Sequence, residues 1–495
     1  MLHYSRFRLE SVPVFVCSAA CSILIGACSG SGDVPDVPSK SYTVVMGEAG
    51  VASLPELPMG RAANMSLLEP AEIARVEAAD QRAPSIRRTQ LEIRTDQPNT
   101  EVTLTQTKHG FTFGFPIELG RFHEPGDLEW FTERMSEHFD LAVLESDAKW
   151  ARVEPTPGAR NFSSADADIA WAEENGFAVK GHTLLWGIPM PLSSSALPQW
   201  AEEQFPSKEL TEAEKAELRT IVKSFIQDSV THYDGKLTYW DVSNESLQSL
   251  AQWFIDRLGP TIINDAFRWA READPDVKLV FNEWIVEVFT GFTTPTATEV
   301  RDRVLDLLEQ GVPIDALGQQ AHFAPTLAFI DPSTDISGRT KIDDYAVALD
   351  TLAETGLPIH ITETNFIAPD DPELRAAQAE ALLRLWWGHP SVTQIVFWGP
   401  WNKVAGRDEF DVGFWDNDRN ITRHGEAVFS LLNDRWRTRA TVESDSNGEL
   451  TLEAHYGTYV AEWSVDGQPY HASFRLDPGS PSTAIALTTP SSSVN

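Results

Sequence analysis

Between Phe111 and residue 400, short apolar runs recur at long intervals, separated by polar stretches of helical texture. The runs are FGFPI (113–117), FDLAVLES (139–146), FAVKGHTLLW (177–186), LTYWDVSNE (237–245), VKLVFNEW (277–284), IDALGQQAH (314–322), PIHITETN (358–365) and QIVFWG (394–399). Helical stretches such as Thr211–Ser229 and Glu299–Gln310 lie between them. A strand that is apolar on both faces must be covered on both, and intervening helices supply that cover in a parallel sheet. Eight such units predict a closed (β/α)₈ TIM barrel of the α/β class over residues 111–430. The alternative, an open doubly wound sheet, is disfavoured because no Gly-x-Gly-x-x-Gly follows the first run, and no Gly-x-x-x-x-Gly-Lys-Ser/Thr is present.

The flanks read differently. Residues 41–110 form an N-terminal extension with a helix near Glu69–Asp80. In it, residues 91–110 alternate apolar and polar around Gln97-Pro98-Asn99-Thr100, which predicts a β hairpin. After Asn433 alternation returns, broken at Asn447-Gly448 and Asp466-Gly467, so residues 431–480 are expected to form a small antiparallel, β-rich C-terminal extension. Residues 481–495, rich in Ser, Thr and Pro, read as a loose tail. At the other end, Arg6 and Arg8 precede the apolar run Val12–Ile25, too short for a membrane span, which closes in IGAC. This resembles a bacterial lipoprotein signal over residues 1–28 with Cys28 as the lipidated residue, followed by a flexible linker at 29–40. Export to the bacterial outer membrane or cell surface is the expectation, with a periplasmic or secreted protein as the alternative.

Composition narrows the partners. The 495 residues carry 39 Lys and Arg against 73 Asp and Glu, a formal charge of −34, which repels nucleic acid and anionic membrane surfaces. Membrane contact is therefore expected only through the N-terminal lipid, and the body is expected to be a monomer. All three cysteines lie within the first 28 residues, so the processed body has no thiol for disulfides, catalysis or metal.

Polar residues gather at the C-terminal ends of the predicted strands, where a barrel presents its site. The fourth run ends in Asn244-Glu245 and the seventh in Thr362-Glu363. A carboxylate closing an apolar strand is costly unless solvated or hydrogen-bonded. One such Glu is readily structural; two on one rim make the minimum kit for cleaving a glycosidic bond. His182 and Trp186 end the third run, Gln320 and His322 the sixth and Trp398 the eighth, while Lys149 and Trp150 follow the second. Indole faces stack on sugar rings, and the polar groups can bond hydroxyls, although each type also serves as ordinary core. His360 lies three residues from Glu363, which puts the two on opposite faces of an extended strand. No His-Glu-x-x-His occurs, and no catalytic metal or cofactor is expected, although the acidic loops leave structural calcium open. Asp408, Glu409 and Asp411 read as a solvated face.

The segments ESDAKW (145–150), EPTPG (154–158), GHTLLWG (181–187), YWDVSNE (239–245), VFNEW (280–284), ALGQQAH (316–322), ITE (361–363) and WG (398–399) resemble, in order and spacing, glycoside hydrolase family 10, the endo-β-1,4-xylanases. The FGFP start, WGPW at 398–401 and the trailing β-rich residues are similar to its plant-type branch. The resemblance implies a retaining enzyme that cuts internal bonds of xylan, with xylan or xylo-oligosaccharides as partners. Glu245 would be the acid/base and Glu363 the nucleophile. Asn244 would hold a sugar 2-hydroxyl, and His322 would bond Glu363 with Gln320 beside it. Glu145, Lys149, His182 and Trp186 would line the non-reducing-side subsites, Trp398 would floor the cleavage point, and Asn282 would support the site. The alternatives are a retaining hydrolase of another β-glycan or of short xylo-oligosaccharides, and a non-catalytic carbohydrate-binding surface lipoprotein.

This chain departs from the family at several places. Glu283 stands where Asp is common, Asn365 where Asp is usual two places after the nucleophile, Gly187 where His often follows Trp, and Ser146 where Asn is usual. The second tryptophan of the eighth loop is missing from KVAGRDEF (403–410), and Trp415 is the candidate to replace it.

Overall fold

Eight strands apolar on both faces close on themselves in the computed structural model, which describes residues 43–49, 60–189, 196–285, 295–323, 341–366, 370–404, 412–478 and 484–489. In chain order they are β1 (Thr112–Ile117), β2 (Leu141–Leu144), β3 (Ala178–Trp186), β4 (Tyr239–Asn244), β5 (Lys278–Glu283), β6 (Ala316–Gln319), β7 (Ile359–Phe366) and β8 (Val392–Phe397). Each pairs in parallel with the next, and β8 pairs with β1 to close the ring. This is the (β/α)₈ barrel the periodicity predicts. Helices between the strands cover the outside; Glu212–His232 and Ala297–Glu309 each start in a capping box, at Thr211/Glu214 and Thr296/Glu299. The expected helix near Glu69–Asp80 runs longer, over Pro70–Arg87.

Four register shifts interrupt the barrel ladders, between His182 and Leu185, between Asp241 and Ser243, between Ile359 and His360, and between Ile361 and Thr364. All but the one at Ile359, which opens β7, fall towards the C-terminal ends of β3, β4 and β7, where a bulge turns a side chain away from strict alternation. They fall on the strands that carry the candidate residues.

The flanking segments build one β-sandwich from both ends of the chain. One sheet holds strands 43–46, 484–488, 88–95 and 449–455; the other holds 439–443, 101–109, 457–465, 468–476 and 48–49. Between them lies a core that includes Leu91, Ile93, Leu450, Ile485 and Leu487 from the first sheet and Val102, Leu104, Tyr459, Trp463 and Phe474 from the second. Two expectations are corrected here. Strands 88–95 and 101–109 do not pair with each other: the Gln97–Thr100 turn carries the chain from one sheet to the other, and Asn447-Gly448 makes a second such crossing. Of these three turns, Asp466-Gly467 alone joins a true hairpin. The tail is also not loose throughout, because residues 484–488 form a strand paired on both sides, with 43–46 and with 88–95. Its short apolar core, AIAL, is hidden in the sequence by the Ser/Thr/Pro-rich surroundings.

Two arginines, half-buried Arg87 and buried Arg437, join sandwich and barrel. Arg87 donates to the carbonyls of Trp387, His389 and Val392, and Arg437 to those of Gln106, Thr107, Glu137 and Leu432. Trp387 and Trp436 stack beside them with ring centres 4.4 Å apart. Cys28 lies outside the described residues, as do residues 190–195 of the long segment after β3 and residues 405–411, which hold Asp408, Glu409 and Asp411. No helix among the described residues is long and apolar enough to cross a membrane.

The tail strand makes a direct prediction. Leu487→Ala should lower stability in urea unfolding by about 2–5 kcal/mol, as for a truncated core leucine. A loss within about 0.5 kcal/mol is what an unpacked position would give.

Candidate active site

The C-terminal ends of β3 to β8 bring the predicted polar residues to one mouth. Asn244 closes β4, and Glu245 follows it with a left-handed backbone, φ 55°. A non-glycine residue held there carries strain of order 1 kcal/mol, sustained only where its surroundings define it. Here the Glu245 N–H donates to the Asn282 carbonyl at 3.0 Å, and the Gln248 N–H donates back to the Glu245 carbonyl at 3.0 Å.

A chain of hydrogen bonds links the two glutamates. Gln320 Nε2 donates to Glu245 Oε1 and to Asn244 Oδ1, each at 3.2 Å. Asn282 Nδ2 donates to the same Asn244 Oδ1 at 2.7 Å and to Glu363 Oε1 at 2.8 Å. Thr362 Oγ1 fixes the Asn282 amide by donating to its Oδ1 at 2.6 Å. The backbone at Gly318 must stay bare, since a Cβ there would stand 2.4 Å from that oxygen. Trp186 Nε1 donates to Glu245 Oε2 at 2.9 Å, and His322 Nε2 lies 3.1 Å from Glu363 Oε2.

These surroundings push the carboxyls apart. Burial, reinforced by the negative charge of Glu363, raises the Glu245 carboxyl to about 7 against the opposing bonds from Trp186 and Gln320. Burial also acts to raise Glu363, but the His322 bond, the adjoining His182 and His322 rings and the Asn282 amide outweigh it and hold this carboxyl at about 2. Near pH 6 one is predominantly an acid and the other an anion.

Around them, His182 Nδ1 meets Asp241 Oδ2 at 2.9 Å, and Asp241 pairs with Lys180 at 2.8 Å, all three buried. A carboxylate partner requires the proton on Nδ1, so Asp241 sets the tautomer of neutral His182. Burial pulls His182 below its ordinary value, with Lys149 adding to the effect. The Lys149 ammonium lies 4.7 Å from the Trp186 ring centre; burial lowers its pKa, against the pull of Glu145, Glu363 and Glu245. Glu145 pairs with Arg121 at 2.8 Å, and Trp398 stands edge-on to His182 with ring centres 5.4 Å apart. Every predicted site residue except Cys28 thus falls on this mouth or directly against it. Asp241 and Arg121 were missed. Asp241 had a signal, an acid inside the apolar run YWDVSN; Arg121 had none.

The departures acquire physical reasons. Gly187 bridges Gln252 in parallel, and a Cβ there would meet the Ala251 carbonyl at 2.5 Å, so His does not fit. Glu283 is buried and accepts bonds from Leu247, Gln248 and Trp284; burial raises its carboxyl to about 8 against those bonds. Ser146 is buried with its carbonyl bonded by the Lys149 N–H. Asn365 is buried opposite His322 in the register, and its amide finds no hydrogen-bond partner among the described residues. Trp415 does not replace the missing rim tryptophan: it is buried against Trp130 and Phe429. His360 is core, set edge-to-face on Tyr239 at 5.0 Å and held by burial at about 3.

The chain is similar to several known proteins. A family model described as Glycosyl hydrolase family 10 matches residues 103–421, well over half of the chain. The chain is 30% identical over 412 residues to anti-sigma-I factor RsgI6 of Acetivibrio thermocellus, covering 82% of this chain and 49% of that protein. It is also 30% identical over 376 residues to an endo-1,4-beta-xylanase 5-like protein of Arabidopsis thaliana, covering 73% and 59%. It thus spans only about half to three-fifths of the length of these relatives. Xylanase 10B of Thermotoga petrophila RKU-1, solved in complex with xylobiose, superposes with a TM-score of 0.55 at 26% identity, over 66% of this chain and 95% of that one. With its closed barrel and its paired glutamates at one mouth, the chain belongs to glycosyl hydrolase family 10.

Proposed function

We propose that this chain is a retaining endo-β-1,4-xylanase, with Glu245 as acid/base and Glu363 as nucleophile. The observation that carries the reading is a pair of buried carboxyls at the barrel mouth, joined through Gln320, Asn244 and Asn282. Relatives and solved neighbours named as xylanases support the substrate class.

In the first step the ionised Glu363 carboxylate attacks the anomeric carbon while Glu245 gives its proton to the departing glycosidic oxygen, leaving a covalent glycosyl ester. Forming the ester removes the Glu363 charge that helps raise the Glu245 pKa, so Glu245 becomes the stronger acid and more fully ionised at a given pH. It then takes a proton from the incoming water, and the second displacement restores the original anomeric configuration. Asn244, whose Oδ1 accepts from Asn282 and Gln320, bonds the 2-hydroxyl of the attached sugar in this reading. Glu145, Lys149, His182 and Trp186 serve the non-reducing-side subsites, and Trp398 floors the cleaved sugar. The leader and Cys28 fit an exported lipoprotein acting on xylan at the cell surface, as a monomer.

Glu245→Ala and Glu363→Ala should each hydrolyse xylan at below about 1% of the parent rate, the scale set by loss of an acid/base or nucleophile. Hydrolysis near the parent rate in both would reject these roles. Proton NMR of fresh products should show the β-anomer first.

The pH profile follows from the same groups. Glu245 must be protonated to act first, so kcat/KM should fall as pH rises through about 7, while Glu363 stays ionised down to about 2. Trp186→Phe removes an N–H that stabilises the Glu245 anion. Its basic limb should therefore move upward by about one pH unit; a downward shift would contradict this role for the indole.

A further inference from the structure

We propose that Glu283 is a positioning residue for Glu245, clamping the turn on which the proton donor sits. The inference rests on Glu245 being that donor.

Glu283 ends β5, the strand beside β4, and its carboxyl turns into the loop that follows Glu245. Oε2 accepts the Leu247 N–H at 2.9 Å, while Oε1 accepts Gln248 Nε2 at 2.7 Å and the Trp284 N–H at 3.2 Å. The second of those partners, Gln248, is the residue whose own N–H closes the turn onto the Glu245 carbonyl at 3.0 Å. On its far side the Glu283 carbonyl accepts the Gln320 N–H at 2.8 Å, and the Gln320 amide donates to Glu245 Oε1 at 3.2 Å. The side chain of Glu283 therefore locates the peptides after Glu245, and its main chain locates one of the donors that aim the Glu245 carboxyl.

Glu245 needs holding from both sides. Its backbone occupies the left-handed region, which a side-chain-bearing residue leaves readily once its hydrogen bonds are removed. A proton donor displaced by a fraction of an ångström loses in-line contact with the glycosidic oxygen, while the nucleophile on β7 stays where it was. Among the described residues no hydrogen bond joins the Glu283 side chain to Glu363. A loss at Glu283 should thus fall on leaving groups that need a proton and spare those that do not.

The experiment measures kcat/KM for the parent, Glu283→Gln, Glu283→Asp and Glu245→Ala on two substrates. Xylotetraose has a sugar leaving group that must be protonated; 2,4-dinitrophenyl β-xylobioside has one that departs as the anion. Glu283→Gln keeps the size but replaces one acceptor oxygen with an –NH2 group, which donates only, so the bond from either Leu247 or Gln248 is lost. It should lower kcat/KM on xylotetraose by about 10- to 100-fold and on the dinitrophenyl substrate by less than about threefold. Glu283→Asp, one methylene shorter with both acceptors kept, should show the same selectivity to a smaller degree. It carries the test if the Gln variant does not fold. An equal fall on both substrates, or a fall on neither, would overturn the proposal. Glu245→Ala separates the two readings: if it fails to show selective loss, the donor assignment is wrong, whereas selective loss there with none at position 283 rejects the clamp alone.

Discussion

Two carboxyl groups buried in one barrel mouth cannot both be charged cheaply, and the architecture around them settles which one is. Asn282 sits at the centre of that arrangement. Its amide nitrogen serves Glu363 and Asn244 together, while its oxygen is taken by Thr362. Glu363 receives its donors from β5 and from the segment after β6, so its anion is solvated by protein dipoles in place of water. Glu245 receives weaker compensation for the same burial and keeps its proton to higher pH. The difference is environmental, since the side chains are identical, and it requires strands that hold donors to within a few tenths of an ångström.

That precision explains the polar residues within the barrel. Lys180 and Asp241 form a buried ion pair whose desolvation is expensive and which adds little to stability by itself. Its return is orientation: Asp241 holds the His182 ring beside Trp398. The register shifts in β3, β4 and β7 serve the same end by turning side chains that strict alternation would send elsewhere. The fold provides a rigid ring, and its local irregularities aim the chemistry.

The barrel was legible because strands buried on both faces read as continuous apolar runs, and a Glu, Asn or His at the end of such a run stands out against it. The sandwich was legible only as alternation. Which strands pair was hidden because the partners of 88–95 lie at 449–455 and 484–488, beyond the reach of any local pattern. A turn such as Gln97–Thr100 has the same composition whether it folds a strand back onto its neighbour or hands it to another sheet. At the site, Glu363 and Glu245 announced themselves by type and place. Glu283 did not, because its importance lies in the backbone of a loop on another strand, which only the folded chain brings within 3 Å.

Strand 43–46 lies in parallel with strand 484–488, so the sandwich is closed by segments that flank the barrel on both sides in the sequence. The order of synthesis therefore constrains the order of folding. The barrel's last strand, β8, is complete by Phe397, whereas the strands at 43–46 and 88–95 must wait with an open edge until residues 484–488 are made. A ribosome that stops early would release a finished barrel carrying unpaired β edges, the kind of surface on which chains associate with one another.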